Sequence, residues 1–334
     1  MQDKRPLYSA GKINERRRNP ELAHGDSRHG ADNWFRSSAT KQYTVTFKNI
    51  FEMQLAANVF VPQEPAEQAL PALIIGAPIG AVKEQAANLY AIKMAEYGFV
   101  TLTFDQSAWG NSNGALRNAI APTLYAENFS AAVDYLTTLD LVDNRRIGVL
   151  AISSAGGFAL NALKLEVRIK ALATINLIDL GAIARQKRTE LGGNVMLNET
   201  AQLRTLEIAG QSTSYTQGVP EAIDSNATTI DREFYDFYRT QRGAANTTTH
   251  PTRTTFTKLL NFYPLRDLDT ITERALLFVT GAQAWSRHFS ETAFASVTTS
   301  KQLLTVPAAG HVDLYDRTTL IPFETLNQFF TANL

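Results

Sequence analysis

A serine that can act as a nucleophile and a histidine that can activate it are the first pair to seek in this sequence. The chain has no cysteine, which removes thiolate chemistry, disulfides and cysteine-based metal sites. Ile147-Gly148-Val149-Leu150-Ala151-Ile152 is strand-like, and Ser153-Ser154-Ala155-Gly156-Gly157 follows it abruptly with small residues. A strand turning sharply into a helix can hold a serine in a strained turn, provided the residues two places away on either side are small. With Ser153 at the turn, those residues are Ala151 and Ala155. Ser154 is the alternative register: it gains Gly156 but puts bulky Ile152 where a small side chain is needed. Ser153 is therefore the preferred nucleophile, and a strand-to-helix turn without a catalytic role is the plain alternative.

The matching base is His311. Leu303-Leu304-Thr305-Val306 reads as a last strand, and Pro307-Ala308-Ala309-Gly310-His311 follows it. A histidine there can lie above the sheet edge and accept a serine proton. His24 and His29 fall in a polar arm, His250 in an insertion and His288 in a loop, all poorer positions. An oxyanion needs two backbone N–H groups, one just after the nucleophile and one from an earlier strand's loop. Ser154 supplies the first. Gly76-Ala77-Pro78-Ile79-Gly80 offers the second from Ile79, with Gly80 behind it, because Pro78 has no N–H.

The third member is less plainly written. The loop Gly281-Ala282-Gln283-Ala284-Trp285-Ser286-Arg287 has no carboxylate. Asp179, just beyond the strand Ala171–Leu177, is the preferred acid, and Glu291 is its substitute. A polar or water-mediated support for His311 is the remaining option; the acid mainly orients and stabilises the imidazolium.

These residues must be held by a scaffold. Tyr43, Val45 and Phe47 alternate with Thr44, Thr46 and Lys48, and Met53–Val61 follows, which predicts a hairpin. Then come a strand (Ala72–Ile75), a helix (Lys83–Tyr97), a strand (Phe99–Phe104), a helix (Leu124–Leu139), a strand (Arg146–Ile152), a helix (Gly156–Leu165) and a strand (Ala171–Leu177). Strands at Leu276–Thr280 and Gln302–Val306 and a helix at Phe323–Phe330 complete the order. Apolar strands alternating with helices predict an α/β architecture, a mostly parallel sheet covered on both faces.

The expected division is a polar N-terminal arm over 1–40, a core over 41–180 and 264–334, and an inserted helical cap over 181–263. The insertion is rich in Thr and Asn, but Phe234, Tyr235, Phe237 and Tyr238 give it aromatic surface to bury. Trp109, Tyr235 and Tyr238 are the candidate substrate-lining residues.

The chain has 334 residues, with 32 basic residues balancing 32 acidic ones. No net field favours nucleic acid or an anionic membrane, and Arg16-Arg17-Arg18 reads as a solvated run. No apolar run suggests a signal peptide or a membrane span, so a cytoplasmic location is the expectation. No Gly-x-Gly-x-x-Gly follows the first parallel strand and no His-x-x-x-His occurs, so neither a nucleotide cofactor nor a metal is expected.

Gly80 to Gln85, Tyr90 to Phe99, Phe104-Asp105 with Trp109-Gly110-Asn111-Ser112, Val142 to Gly157, Tyr238 to Gly243 and Gly310 to Asp316 form an ordered set. From about Tyr43 to the C-terminus, that set resembles the dienelactone-hydrolase-like and X-Pro dipeptidyl-peptidase-like α/β-hydrolases, many of them uncharacterised bacterial hydrolases. The resemblance implies the α/β-hydrolase fold, with the nucleophile on Ser153, the base on His311 and the oxyanion loop on Ile79-Gly80. The chain departs from the family pattern at Ala151 and Ala155, where glycines are usual, and at Ala282, where relatives often carry Glu. Asp105 reads as a structural turn residue, and Lys83 and Glu84 as residues of a helix start. The expected activity is cleavage of a small carboxylic ester (or amide) through an acyl-enzyme. A non-catalytic binder of a ligand or partner is the second reading, and a homodimer is the expected assembly.

Overall fold

The computed structural model describes residues 30–64, 67–243 and 249–334; the polar arm predicted over 1–40 lies outside these up to residue 29. Residues that are apolar at every position of a strand need cover on both faces, and the central runs obtain it. The strands β1 (Thr40–Lys48), β2 (Gln54–Pro62), β3 (Leu70–Gly76), β4 (Val100–Phe104), β5 (Val142–Ile152), β6 (Ile169–Ile175), β7 (Ala275–Gly281) and β8 (Lys301–Val306) form one sheet. Its order is β1-β2-β4-β3-β5-β6-β7-β8. The β1–β2 hairpin is antiparallel and β2 meets β4 antiparallel; from β4 onward every pair is parallel. This is the α/β-hydrolase architecture that the motifs imply.

Helices α1 (Ala86–Glu96), α2 (Pro122–Thr137) and α3 (Ala155–Leu163) connect the central strands. Two buried clusters result, one on each face of the sheet: Phe104, Phe129 and Phe158 belong to one, Tyr90, Leu150 and Phe330 to the other. The chain leaves β3 in one direction and returns past it to β5, so the sheet order reverses between these two neighbours. Ligands of open α/β sheets bind at the carboxyl ends of strands at such a reversal. Here the ends are Gly76 and Ala151, paired in register.

The segment between β6 and β7 carries α4 (Leu180–Glu190), α5 (Val195–Ile208), α6 (Thr229–Arg239) and the single turn α7 (Arg253–Phe256). Beyond β7 come α8 (Arg287–Ser296), the single turn α9 (Asp313–Asp316) and α10 (Phe323–Asn333). Among the described residues no helix is long and apolar enough to cross a membrane.

Lys83 is not a solvated residue of a helix start, as its position predicts. It is buried, with Nζ 2.9 Å from Asp105 and 2.7 Å from Glu84, and its backbone N–H donates to Asp105 Oδ1 at 2.8 Å. Burial alone would lower its pKa, but the Asp105 and Glu84 carboxylates outweigh that and hold it above the usual value. Asp105, at the end of β4, thereby anchors the loop that follows β3.

Candidate active site

β5 delivers Ser153 into a left-handed turn, with φ +59°. A non-glycine residue is uncommon there and is held only when its surroundings fix it. Ser153 N–H donates to Ile175 O at 2.7 Å, and Ser153 O accepts from Gly156 N at 3.0 Å and Ile178 N at 3.3 Å. Small neighbours make the turn possible. A Cβ on Gly156 would lie 2.6 Å from Leu177 Cδ1. Ala155 replaces a customary glycine, and the space comes from across the sheet end: a Cβ on Gly76 would lie 2.9 Å from the Ala155 methyl.

His311 follows β8, and its Nε2 lies 3.0 Å from Ser153 Oγ. The ring is fully buried, tilted against Trp285 with centroids 5.1 Å apart and met edge-on by Phe234 at 5.7 Å. Burial without an acidic partner disfavours the imidazolium and pushes the His311 pKa down to about 3. Ser154 Oγ is turned elsewhere and accepts the Ile79 N–H at 2.8 Å. The N–H expected to face an oxyanion is thus held by the Ser154 hydroxyl, which satisfies a donor that would be costly to leave buried and unpaired.

Neither Asp179, expected as the acid, nor Glu291, its substitute, is the group that meets His311 Nδ1 in this geometry. Asp179 is the N-cap of α4, where its Oδ1 accepts Ala182 N–H at 2.8 Å; a short acidic side chain at a helix start is strongly favoured there. Its other oxygen is 3.8 Å from Arg185, and burial raises its pKa above the usual value. Glu291 is on the exposed side of α8, paired with Arg287 at 2.7 Å. His311 Nδ1 instead meets Ser286 Oγ at 2.6 Å. Ser286 occupies the N-cap of α8 but makes no side-chain cap bond; its hydroxyl serves the imidazole.

Asn176 is a positioning residue that sequence reasoning missed. Its Nδ2 donates to His311 O at 2.6 Å and Gly310 O at 3.2 Å, while its Oδ1 accepts Gly281 N–H at 2.8 Å. One buried amide thus ties the ends of β6 and β7 to the histidine loop. The signal available was an asparagine directly after a buried strand, φ +47° in the structure. Tyr315, four residues after His311, is the second omission, with its hydroxyl 3.1 Å from Nε2.

The expected pocket residues divide. Trp109 is a core residue: it is 2% exposed, and its indole N–H donates to Ala119 O at 3.0 Å and to the Tyr125 hydroxyl at 2.7 Å. Tyr238 is buried against Phe237 and Phe234, and Tyr235 is half-buried on the same helix. The residue of α6 that reaches the imidazole is Phe234. Glu233 beside it faces the backbone N–H groups of Val312 and His311. Among the described residues no cluster of three His, Cys, Asp or Glu side chains could hold a metal.

The site thus sets a serine hydroxyl against an imidazole whose far nitrogen rests on a neutral hydroxyl. No protein-family model matches the chain. It is 39% identical over 310 residues to the uncharacterized protein PA2218 of Pseudomonas aeruginosa, covering 89% of this chain and 82% of the relative. The crystal structure of PA2218 superposes with a TM-score of 0.85 over 91% of this chain and 97% of that one, at 36% identity. The α/β-hydrolase GrgF from Penicillium sp. sh18 shares the fold, with a TM-score of 0.73 at 21% identity over 88% of this chain and 99% of its own. A thiohydrolase of Eupenicillium brefeldianum is 32% identical over 106 residues, 32% of this chain and 34% of that protein.

Proposed function

This chain belongs to one family with the uncharacterized protein PA2218 and has the α/β-hydrolase fold, and on that premise we propose that it is a serine hydrolase cleaving a small carboxylic ester through an acyl-enzyme. The observation that carries the reading is Ser153, at φ +59° with its hydroxyl 3.0 Å from Nε2 of a fully buried histidine. A residue bearing a Cβ is strained in that conformation, and such strain clusters at active sites, where the surroundings hold it.

In this mechanism Ser153 Oγ attacks the acyl carbon and His311 Nε2 takes its proton. Nε2 must offer a lone pair, so Nδ1 carries the hydrogen and donates it to Ser286 Oγ, which fixes the tautomer. The oxyanion is held by the Ser154 N–H at the start of α3 and by the Ile79 N–H once the Ser154 hydroxyl turns aside. Water then attacks the acyl-enzyme with His311 as base. Phe234 and Trp285 beside the imidazole, with Tyr235 and Tyr238 further along α6, line the acyl group's approach. The partial likeness to a named thiohydrolase keeps thioesters within the same reaction class.

The neutral Ser286 at Nδ1 is the one observation that favours a non-catalytic binder of the same fold. Covalent labelling by a fluorophosphonate separates the two: the hydrolase labels at Ser153, and a binder does not label. Turnover of p-nitrophenyl acetate and butyrate should accompany the labelling.

A further inference from the structure

Two hydroxyls compete for one imidazole nitrogen. Ser153 Oγ is 3.0 Å from His311 Nε2 and Tyr315 Oη is 3.1 Å from it. A neutral imidazole nitrogen has a single lone pair in the ring plane. When Ser153 donates to it, the tyrosine hydroxyl stands at the same nitrogen as a second polar neighbour. All three residues are buried, at 2%, 0% and 0% exposure.

The tyrosine is held firmly. It lies in the single turn α9, four residues after His311. Phe237 meets its ring edge-on at 5.1 Å. The Tyr90 hydroxyl donates to the carbonyl of neighbouring Leu314 at 2.6 Å. Burial pushes the phenol well above its usual pKa, with the nearby Tyr238, Glu233 and Tyr90 in the same direction, so it is a neutral O–H at physiological pH. Trp285 and Phe234 lie against the imidazole ring. The two hydroxyls share the remaining approach to Nε2.

We propose that Tyr315 is a catalytic residue that relays the proton from the His311 imidazolium to the leaving atom of the acyl substrate. This rests on Ser153 being the nucleophile. When the tetrahedral adduct collapses, the bond from carbon to the leaving atom breaks and its electron pair goes to that atom. The leaving atom takes the Tyr315 Oη proton while Oη takes the Nε2 proton, so phenol and imidazole both end neutral. Deacylation runs the same path backwards. Water bonds to the acyl carbon and loses a proton to Oη, and the Oη proton moves to Nε2. Collapse then breaks the bond from carbon to Ser153 Oγ, which takes the proton from Nε2.

In acylation, the step that kcat/KM reports, the relay matters only when the leaving group needs a proton. Tyr315→Phe should therefore lower kcat/KM for an ethyl ester by about 100-fold, the scale of general-acid catalysis. A p-nitrophenyl ester of the same acid, whose phenolate leaves unprotonated, should change by no more than about threefold on the same scale. A tyrosine that only shapes the site would lower both rates together, and that result overturns the relay. So does a wild type that turns over the nitrophenyl ester but not the ethyl ester. In wild-type enzyme, ethyl-ester rates in mixtures of light and heavy water should fall on a bowed curve, since two protons move at once; a straight line contradicts the relay. Fluorophosphonate labelling of both proteins tests the reading underneath: a wild type that does not label removes Ser153 as nucleophile, whatever Tyr315 does.

Discussion

A hydroxyl at Nδ1 can orient an imidazole but cannot neutralise an imidazolium, and at the scale of single residues this governs the pH behaviour. With His311 held down to about 3 by burial, the base is neutral throughout the physiological range. The wild-type kcat/KM should stay level as pH falls from about 8 to 5, without the usual loss near the ordinary histidine pKa. Ser286→Asp would put a carboxylate beside Nδ1, where the serine hydroxyl now lies at 2.6 Å, and raise the histidine pKa. Its acid limb should move up toward roughly pH 6.5, and kcat should rise about tenfold, a fraction of what a fully supported acid supplies. A pH profile of both proteins checks this; superimposable acid limbs would count against the Ser286 contact. The serine and histidine were legible because strand, small-residue turn and strand-end histidine each have a local signature. Ser286 was not, because a serine before a helix reads as a cap, and only the fold reveals that its hydroxyl serves His311.

Elements carry the next level of constraint, because the histidine loop is fastened to α6. Arg242, three residues beyond α6, is buried with its guanidinium 2.7 Å from Asp316 and 3.1 Å from Val312 O. Removing one member of a buried ion pair leaves the other charge uncompensated. Arg242→Met should therefore cost about 3–5 kcal/mol, read as a lowered denaturation midpoint. Exchanging Arg242 and Asp316 together for apolar residues of similar volume should recover most of the loss. Asn176→Ala should cost about 1–3 kcal/mol for the unpaired groups it leaves, and it should lower kcat more than it raises KM. Equal stability of the single variant and wild type would show that the latch carries nothing. Core strands were readable because they are apolar at every position. Helices α5 and α8 were not: α5 buries only Met196 and Thr200, too little for a visible stripe, and Ser290 interrupts the buried face of α8.

Across the whole molecule, the parallel sheet gathers four distant segments: the Ile79 loop, Ser153-Ser154, Ser286, and His311 with Tyr315. The succession of strands and helices along the chain was legible in the sequence; which side chains meet across the carboxyl edge was not, since those contacts span up to 158 positions. Keeping a buried neutral histidine there has a global consequence. The unfolded chain takes up a proton on this residue below its ordinary pKa of 6.5, and the folded chain does not until about 3. The unfolded state binds more protons in that window, so stability falls as pH drops through it. His311→Gln, which cannot be charged, should show a shallower decline of Tm between about pH 6.5 and 4.5 than wild type. Parallel declines would mean that the histidine is not buried in neutral form.

The nucleophile is the central claim, and its most direct measurement is site-resolved fluorophosphonate labelling of wild type, Ser153→Ala and Ser154→Ala, with p-nitrophenyl butyrate turnover alongside. The account predicts a single adduct on Ser153 in wild type, retained in Ser154→Ala, with label and turnover both lost in Ser153→Ala. An adduct on Ser154, or turnover that persists without Ser153, would contradict it.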